Sequence, residues 1–106
     1  MRLYHNPRCS KSRQALALLV EKNIEFETYR YLDNGISQED LNILVALEGV
    51  IRKQDFDKSL GYDLNNKADI LKLLIDNPKT LQRPILINNG QAVIGRPPEN
   101  ILVLLD

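Results

Sequence analysis

The chain has 106 residues, 43% of them hydrophobic, and its 14 basic residues balance 14 acidic ones for a formal net charge of zero. That length suits one domain with one core, the composition excludes a disordered chain, and the charge balance argues against a general nucleic-acid binder, which usually carries a basic surplus. One cysteine cannot form an internal disulfide, one cysteine and one histidine are too few for a zinc site, and neither a bilayer span nor a signal peptide is visible, so a cytoplasmic protein without metal or membrane is expected.

Arg2 to Tyr4 reads as a short first strand, which Pro7 stops because proline has no N–H for a ladder. An amphipathic run from about Ser10 to Lys22 places Ala15, Leu16, Leu19 and Val20 on one helical face, and Asn23 can take the left-handed conformation that ends it. Ile24 to Tyr31 alternates with a period of two and predicts a second strand. Strand, helix and strand of this length predict a parallel βαβ unit with a right-handed crossover. Asp33-Asn34-Gly35 is a turn, and Ser37-Gln38-Glu39-Asp40 resembles a capping box that opens a helix burying Leu41, Leu44 and Val45 and closing near Gly49.

Residues 51–66 are polar and charged, a segment expected to be irregular and to act either as a lid or as a solvated connection. A helix over about Lys67 to Asp76 buries Ile70, Leu71, Leu74 and Ile75 and ends at Asn77-Pro78. Ile85 to Ile87 is a β-branched strand, Asn89-Gly90 suits a type I′ hairpin turn, and Gln91 to Gly95 returns. Arg96-Pro97-Pro98-Glu99 then opens a last helix. The order predicts an α/β thioredoxin-like fold, βαβ plus ββα on a mixed four-stranded sheet. It would be a single domain over 1–106 with a helical insertion at about 37–80.

The chemistry concentrates in His5-Asn6-Pro7-Arg8-Cys9-Ser10-Lys11-Ser12-Arg13, which holds the only cysteine and the only histidine. A lone cysteine is most often a small buried hydrophobe. Cys9, however, stands among polar and cationic residues at a predicted helix start, where unpaired N–H groups, the helix dipole, Arg8, Lys11 and Arg13 all favour a thiolate. Such settings lower a thiol from its free value of ~8.5 and make it a nucleophile.

Tyr4-His5-Asn6-Pro7-Arg8-Cys9-Ser10-Lys11-Ser12-Arg13, Arg83-Pro84-Ile85 and Gly95-Arg96-Pro97 together resemble the three signatures of the glutaredoxin-linked arsenate reductase family, and the resemblance covers essentially the whole chain. It implies that Cys9 attacks arsenate, that Arg83 and Arg96 bind the oxyanion, that His5 and Ser12 help keep Cys9 ionised, and that Pro84 is cis. It also implies glutathione as cosubstrate, glutaredoxin as partner and no tightly bound cofactor. Arginine's planar fork of donors suits such an oxyanion independently of the resemblance.

The family carries a further anion-binding arginine after its second helix. Alignment through Gly49 places none cleanly there; Phe56 falls nearest, and Arg52 and Lys58 are the candidates to substitute. Ser12 stands where a dithiol enzyme would hold a resolving cysteine, so resolution is expected from outside the chain. Two other readings are an Spx-like regulator that binds RNA polymerase without catalysis, and a glutathione-linked thiol protein acting on another substrate.

Overall fold

The computed structural model describes residues 1–105. Its frame is a four-stranded sheet in the order β2-β1-β3-β4, made of β1 (Arg2–Tyr4), β2 (Glu27–Tyr29), β3 (Ile85–Asn88) and β4 (Gln91–Ile94). β1 runs parallel to β2 and antiparallel to β3, and β3 runs antiparallel to β4. The long helix α1 (Ser10–Glu21) makes the parallel crossover, and Asn23 ends it at φ 55°. This is the thioredoxin-like arrangement of βαβ followed by ββα. At the hairpin, Asn89 and Gly90 both have positive φ, 52° and 77°, as a type I′ turn demands.

Strand alternation divides the core between two faces. Leu3 and Leu86 point one way and pack with Ala15 and Leu19 of α1 and with Ile101. Tyr4, Ile85 and Ile87 point the other way, onto a larger cluster with Tyr31, Leu44, Leu73, Leu74 and Leu81. That second face is covered by the segment between β2 and β3, which carries α2 (Tyr31–Asn34), α3 (Leu41–Val45), α4 (Lys67–Asp76) and four 3₁₀ turns. Asn66 caps α4, its side chain accepting the Asp69 N–H at 3.2 Å.

Several local expectations need correction. β2 is three residues long, not eight, because β1 offers only three residues to pair with, from Arg2 against Glu27 to Tyr4 against Tyr29. Ile24 and Phe26 pack against the α1 side of the core instead of lengthening the ladder. Tyr31 opens a short helix, and its ring is fully buried. Ser37 does not cap a helix with its side chain. The acid three residues later, Asp40, is turned inward, accepting from Arg2 Nη1 and from Tyr4 Oη at 2.6 Å each, and so ties the covering segment to β1. Val20 and Ile75 are exposed, while Leu73 takes the buried place on α4. Residues 51–66 hold two 3₁₀ turns, Lys53–Asp55 and Lys58–Leu60, and Ile51 bridges to Leu81. The last helix is 3₁₀ over Pro98–Leu104: the Asn100 N–H reaches back three residues to the Pro97 carbonyl at 3.0 Å.

Candidate functional site

Sheet register gathers the site. Tyr4 pairs with Ile85, and Ile85 pairs with Ile94, so the loop leaving β1, the loop entering β3 and the loop leaving β4 emerge at one end of the sheet. Those loops carry Cys9, Arg83 and Arg96. The Arg83–Pro84 and Arg96–Pro97 peptide bonds are both cis.

The loop of residues 5–9 is held by its own hydrogen bonds. The His5 N–H continues the sheet to the Tyr29 carbonyl at 2.9 Å. Asn6 donates its N–H to Ser12 Oγ at 3.0 Å, accepts the Arg8 N–H on its side chain at 3.0 Å, and accepts the Cys9 N–H on its carbonyl at 3.0 Å. Ser12 Oγ also lies 2.7 Å from His5 Nδ1. The result is Cys9 in the N-cap position of α1 with extended backbone, φ −93° and ψ 122°, and its carbonyl receives the Arg13 N–H at 3.0 Å.

The sulfur is half-buried. Burial pushes its pKa up, but the Ser12 amide, the Arg83 guanidinium and the Lys11 amide together outweigh this, and the thiol is held below its ordinary value. No first-turn N–H makes a well-formed hydrogen bond to Sγ, so the amides act as oriented dipoles. Arg96 Nη1 lies 4.0 Å from Sγ and donates to the Arg83 carbonyl at 2.9 Å, which fixes one arginine on the backbone of the other. The Ser12 hydroxyl is engaged with His5 and Asn6, so Ser12 acts on the thiol through its backbone N–H. His5 is itself held below its usual pKa by burial and by Arg30 and Arg13, which favours a neutral ring.

Arg83 is also tied to Asp55, whose Oδ2 accepts from Arg83 Nη1 at 3.0 Å and from Arg52 Nη1 at 3.2 Å. Arg52 therefore stands beside Arg83, with its N–H anchored on the Thr80 carbonyl at 2.7 Å. Lys58 is exposed on the second 3₁₀ turn of this segment, Lys58–Leu60. Phe56 packs against the core, so its position is apolar and not an anion contact. A cleft of about 520 Å³ is lined by His5, Arg8, Arg30, Tyr31, Asp55 and Arg83 among others; it reaches Arg83 and the Cys9 loop at Arg8, while Cys9 and Arg96 themselves do not line it. Among the described residues, Tyr31 Oη and Arg83 Nε are buried without a hydrogen-bond partner, no cluster of ligating side chains suits a metal ion, and no helix is long and apolar enough to cross a membrane.

Sequence reasoning gave no role to Asn6, Tyr31 or Asp55. Asn6-Pro7 is a turn signal that could have marked the first, and Asp55 lies one helical turn beyond Arg52. Tyr31 carries no local signal.

The sequence model of the ArsC family matches residues 4–104. The chain is 43% identical to the arsenate reductase of Neisseria meningitidis serogroup A, over 99% of this chain and 97% of that one. It is 33% identical to the regulatory protein MgsR of Bacillus subtilis, over 95% of this chain and 86% of the other. The solved structure of the arsenate reductase from Vibrio cholerae superposes with a TM-score of 0.84 at 35% identity, covering 99% of this chain and 98% of that one.

Proposed function

The chain belongs to the ArsC family, and from that premise we propose that it is a thiol-dependent arsenate reductase that draws its electrons from glutathione and glutaredoxin in a reducing cytoplasm. The observation that carries this reading is the convergence of a depressed-pKa thiol with two arginines on the end of the sheet: Arg83 against Cys9, and Arg96 4.0 Å from its sulfur. A thiolate that faces guanidinium groups is a nucleophile next to an oxyanion site. Arg52, which shares Asp55 with Arg83, is our choice over Lys58 for the third arginine. We take residues 1–106 as one domain that holds this site.

The chemistry balances in three steps. The Cys9 thiolate attacks the arsenic of dihydrogen arsenate; an S–As bond forms, an As–O bond breaks, and the hydroxide that leaves takes up a proton to become water. Arg83 and Arg96 neutralise the oxygens as charge gathers on them. A glutathione thiol then attacks the Cys9 sulfur. An S–S bond forms, the electron pair of the S–As bond passes to arsenic, which falls from As(V) to As(III), and the thiol proton ends on the arsenite released. Glutaredoxin finally exchanges its thiolate with the mixed disulfide, carries the glutathione away and frees Cys9.

A second reading, a regulator, is favoured by the similarity to MgsR. The absence of a second cysteine, with Ser12 three residues after Cys9, removes the dithiol pair on which a redox switch of that kind would depend. Arsenate-dependent oxidation of NADPH, coupled through glutathione, glutaredoxin and glutathione reductase, decides between them. Turnover that vanishes in Cys9→Ser is expected. Absence of arsenate-dependent turnover in the wild type would favour the regulator.

A further inference from the structure

The proposed cycle needs cationic donors around an oxyanion, yet an acid is fixed among them. Asp55 Oδ2 accepts from both Arg83 and Arg52, at 3.0 and 3.2 Å, and Asp55 lines the same cleft as Arg83. It is anchored there: the Asp55 N–H binds the Arg52 carbonyl at 3.0 Å, the Phe56 N–H binds the Lys53 carbonyl at 3.2 Å, and the Phe56 ring packs on the core. Its side chain is 32% exposed, so a ligand on Arg83 can reach it.

A site made only to hold as much negative charge as it can would leave those two guanidinium groups free. A fixed carboxylate lowers the site's positive charge by one and adds an acceptor where the anion's oxygens arrive. Tetrahedral anions differ in how they meet such an acceptor. Hydrogen arsenate and hydrogen phosphate keep at least one proton at neutral pH and can donate it to Asp55. Sulfate keeps none, and would set an oxygen lone pair against a carboxylate lone pair. A repulsive element of this kind is how a site rejects a near-isosteric competitor.

We propose that Asp55 is a specificity-determining residue that selects protonated tetrahedral oxyanions, the arsenate and phosphate class, over fully ionised ones such as sulfate. The inference rests on reading Arg83 and Arg96 as an oxyanion site.

Calorimetric titration of the full chain at pH 7 with inorganic phosphate and, separately, inorganic sulfate tests it, in the wild type, in Asp55→Asn and in Arg83→Ala. The wild type is expected to prefer phosphate by about tenfold or more, the scale of one charge-assisted hydrogen bond. Asp55→Asn, whose amide can donate, is expected to erase most of that preference, chiefly by tighter sulfate binding. Phosphate binding that weakens in Arg83→Ala, together with an unchanged phosphate-to-sulfate ratio in Asp55→Asn, overturns this inference and leaves the oxyanion site standing. Absence of binding by either anion in the wild type overturns both. The wild-type ratio decides alone should Asp55→Asn not fold: a preference for sulfate, or none, overturns the inference.

Discussion

The thiol of Cys9 is set by a contest between burial and its neighbours. Burial disfavours the thiolate, and the Ser12 amide, the Arg83 guanidinium and the Lys11 amide favour it more. Thiolate absorbance against pH should therefore give a midpoint below the free-cysteine value of about 8.5, and Arg83→Ala should move that midpoint upward. An unchanged midpoint in the variant would mean that the backbone amides suffice. His5 is shifted in the same direction for a different reason, its charged form being the one disfavoured. Its folded pKa lies below its ordinary one, because burial, Arg30 and Arg13 all oppose the charged ring. The unfolded chain thus binds a proton first as pH falls below about 6.5, and the native state loses stability in that window. Denaturant melts at several pH values should show this loss in the wild type and a flatter profile in His5→Asn.

At the scale of elements, the site depends on two close fittings. One is Gly95, between β4 and Arg96. A Cβ there would lie 2.8 Å from Pro84 Cγ and 3.0 Å from Ile101 Cγ2, while the Gly95 N–H already binds the Pro84 carbonyl at 2.8 Å. Neither neighbour is the loose end of a flexible chain, so Gly95→Ala should cost about 1–3 kcal/mol in chemical denaturation, the usual range for overpacking. It should also displace Pro84 and slow Cys9 alkylation. The other fitting is Asp40, whose buried carboxylate receives Arg2 and Tyr4. Asp40→Ala removes the acceptor of the buried Tyr4 hydroxyl proton and leaves Arg2 with Glu27 as its remaining hydrogen-bonded carboxylate, and should destabilise the fold by about 1–3 kcal/mol. Asp40 also shows why local sequence signals failed where they did. The acid of an apparent capping box was claimed by β1, a partner 38 residues away in the chain. The strand of period two from Ile24 was cut short because β1 ends at Tyr4. α1, α4 and the Asn89-Gly90 hairpin were legible because helical spacing, the Asn77-Pro78 stop and a pair of residues tolerant of positive φ act within their own few residues.

The whole molecule brings together what the chain keeps apart. Cys9 and Arg96 are 87 residues distant in sequence, yet the row Tyr4–Ile85–Ile94 sets their loops side by side. The motifs exposed these residues in the sequence; for Asp55 the sequence offers only its spacing from Arg52, because its contact with Arg83 spans 28 residues. What the whole chain lacks matters as much: with one cysteine in 106 residues, the protein has no second thiol with which to resolve an intermediate on Cys9. The Ser12 hydroxyl, three residues away, is committed to His5 and Asn6 and offers no redox chemistry. Resolution then has to be intermolecular, and each partner left out should stop the cycle at a definite species. With arsenate and glutathione but no glutaredoxin, intact-mass measurement should find the protein as a one-to-one glutathione adduct on Cys9. Each adduct should be matched by one equivalent of arsenite already released, and adding glutaredoxin should then restore the free thiol without releasing more. Omitting arsenate should leave the thiol free, because reduced glutathione alone supplies no oxidant. An adduct that forms equally without arsenate would show that the thiol is glutathionylated by some other oxidant, and failure of glutaredoxin to clear it would assign the reductant's role to a different dithiol protein.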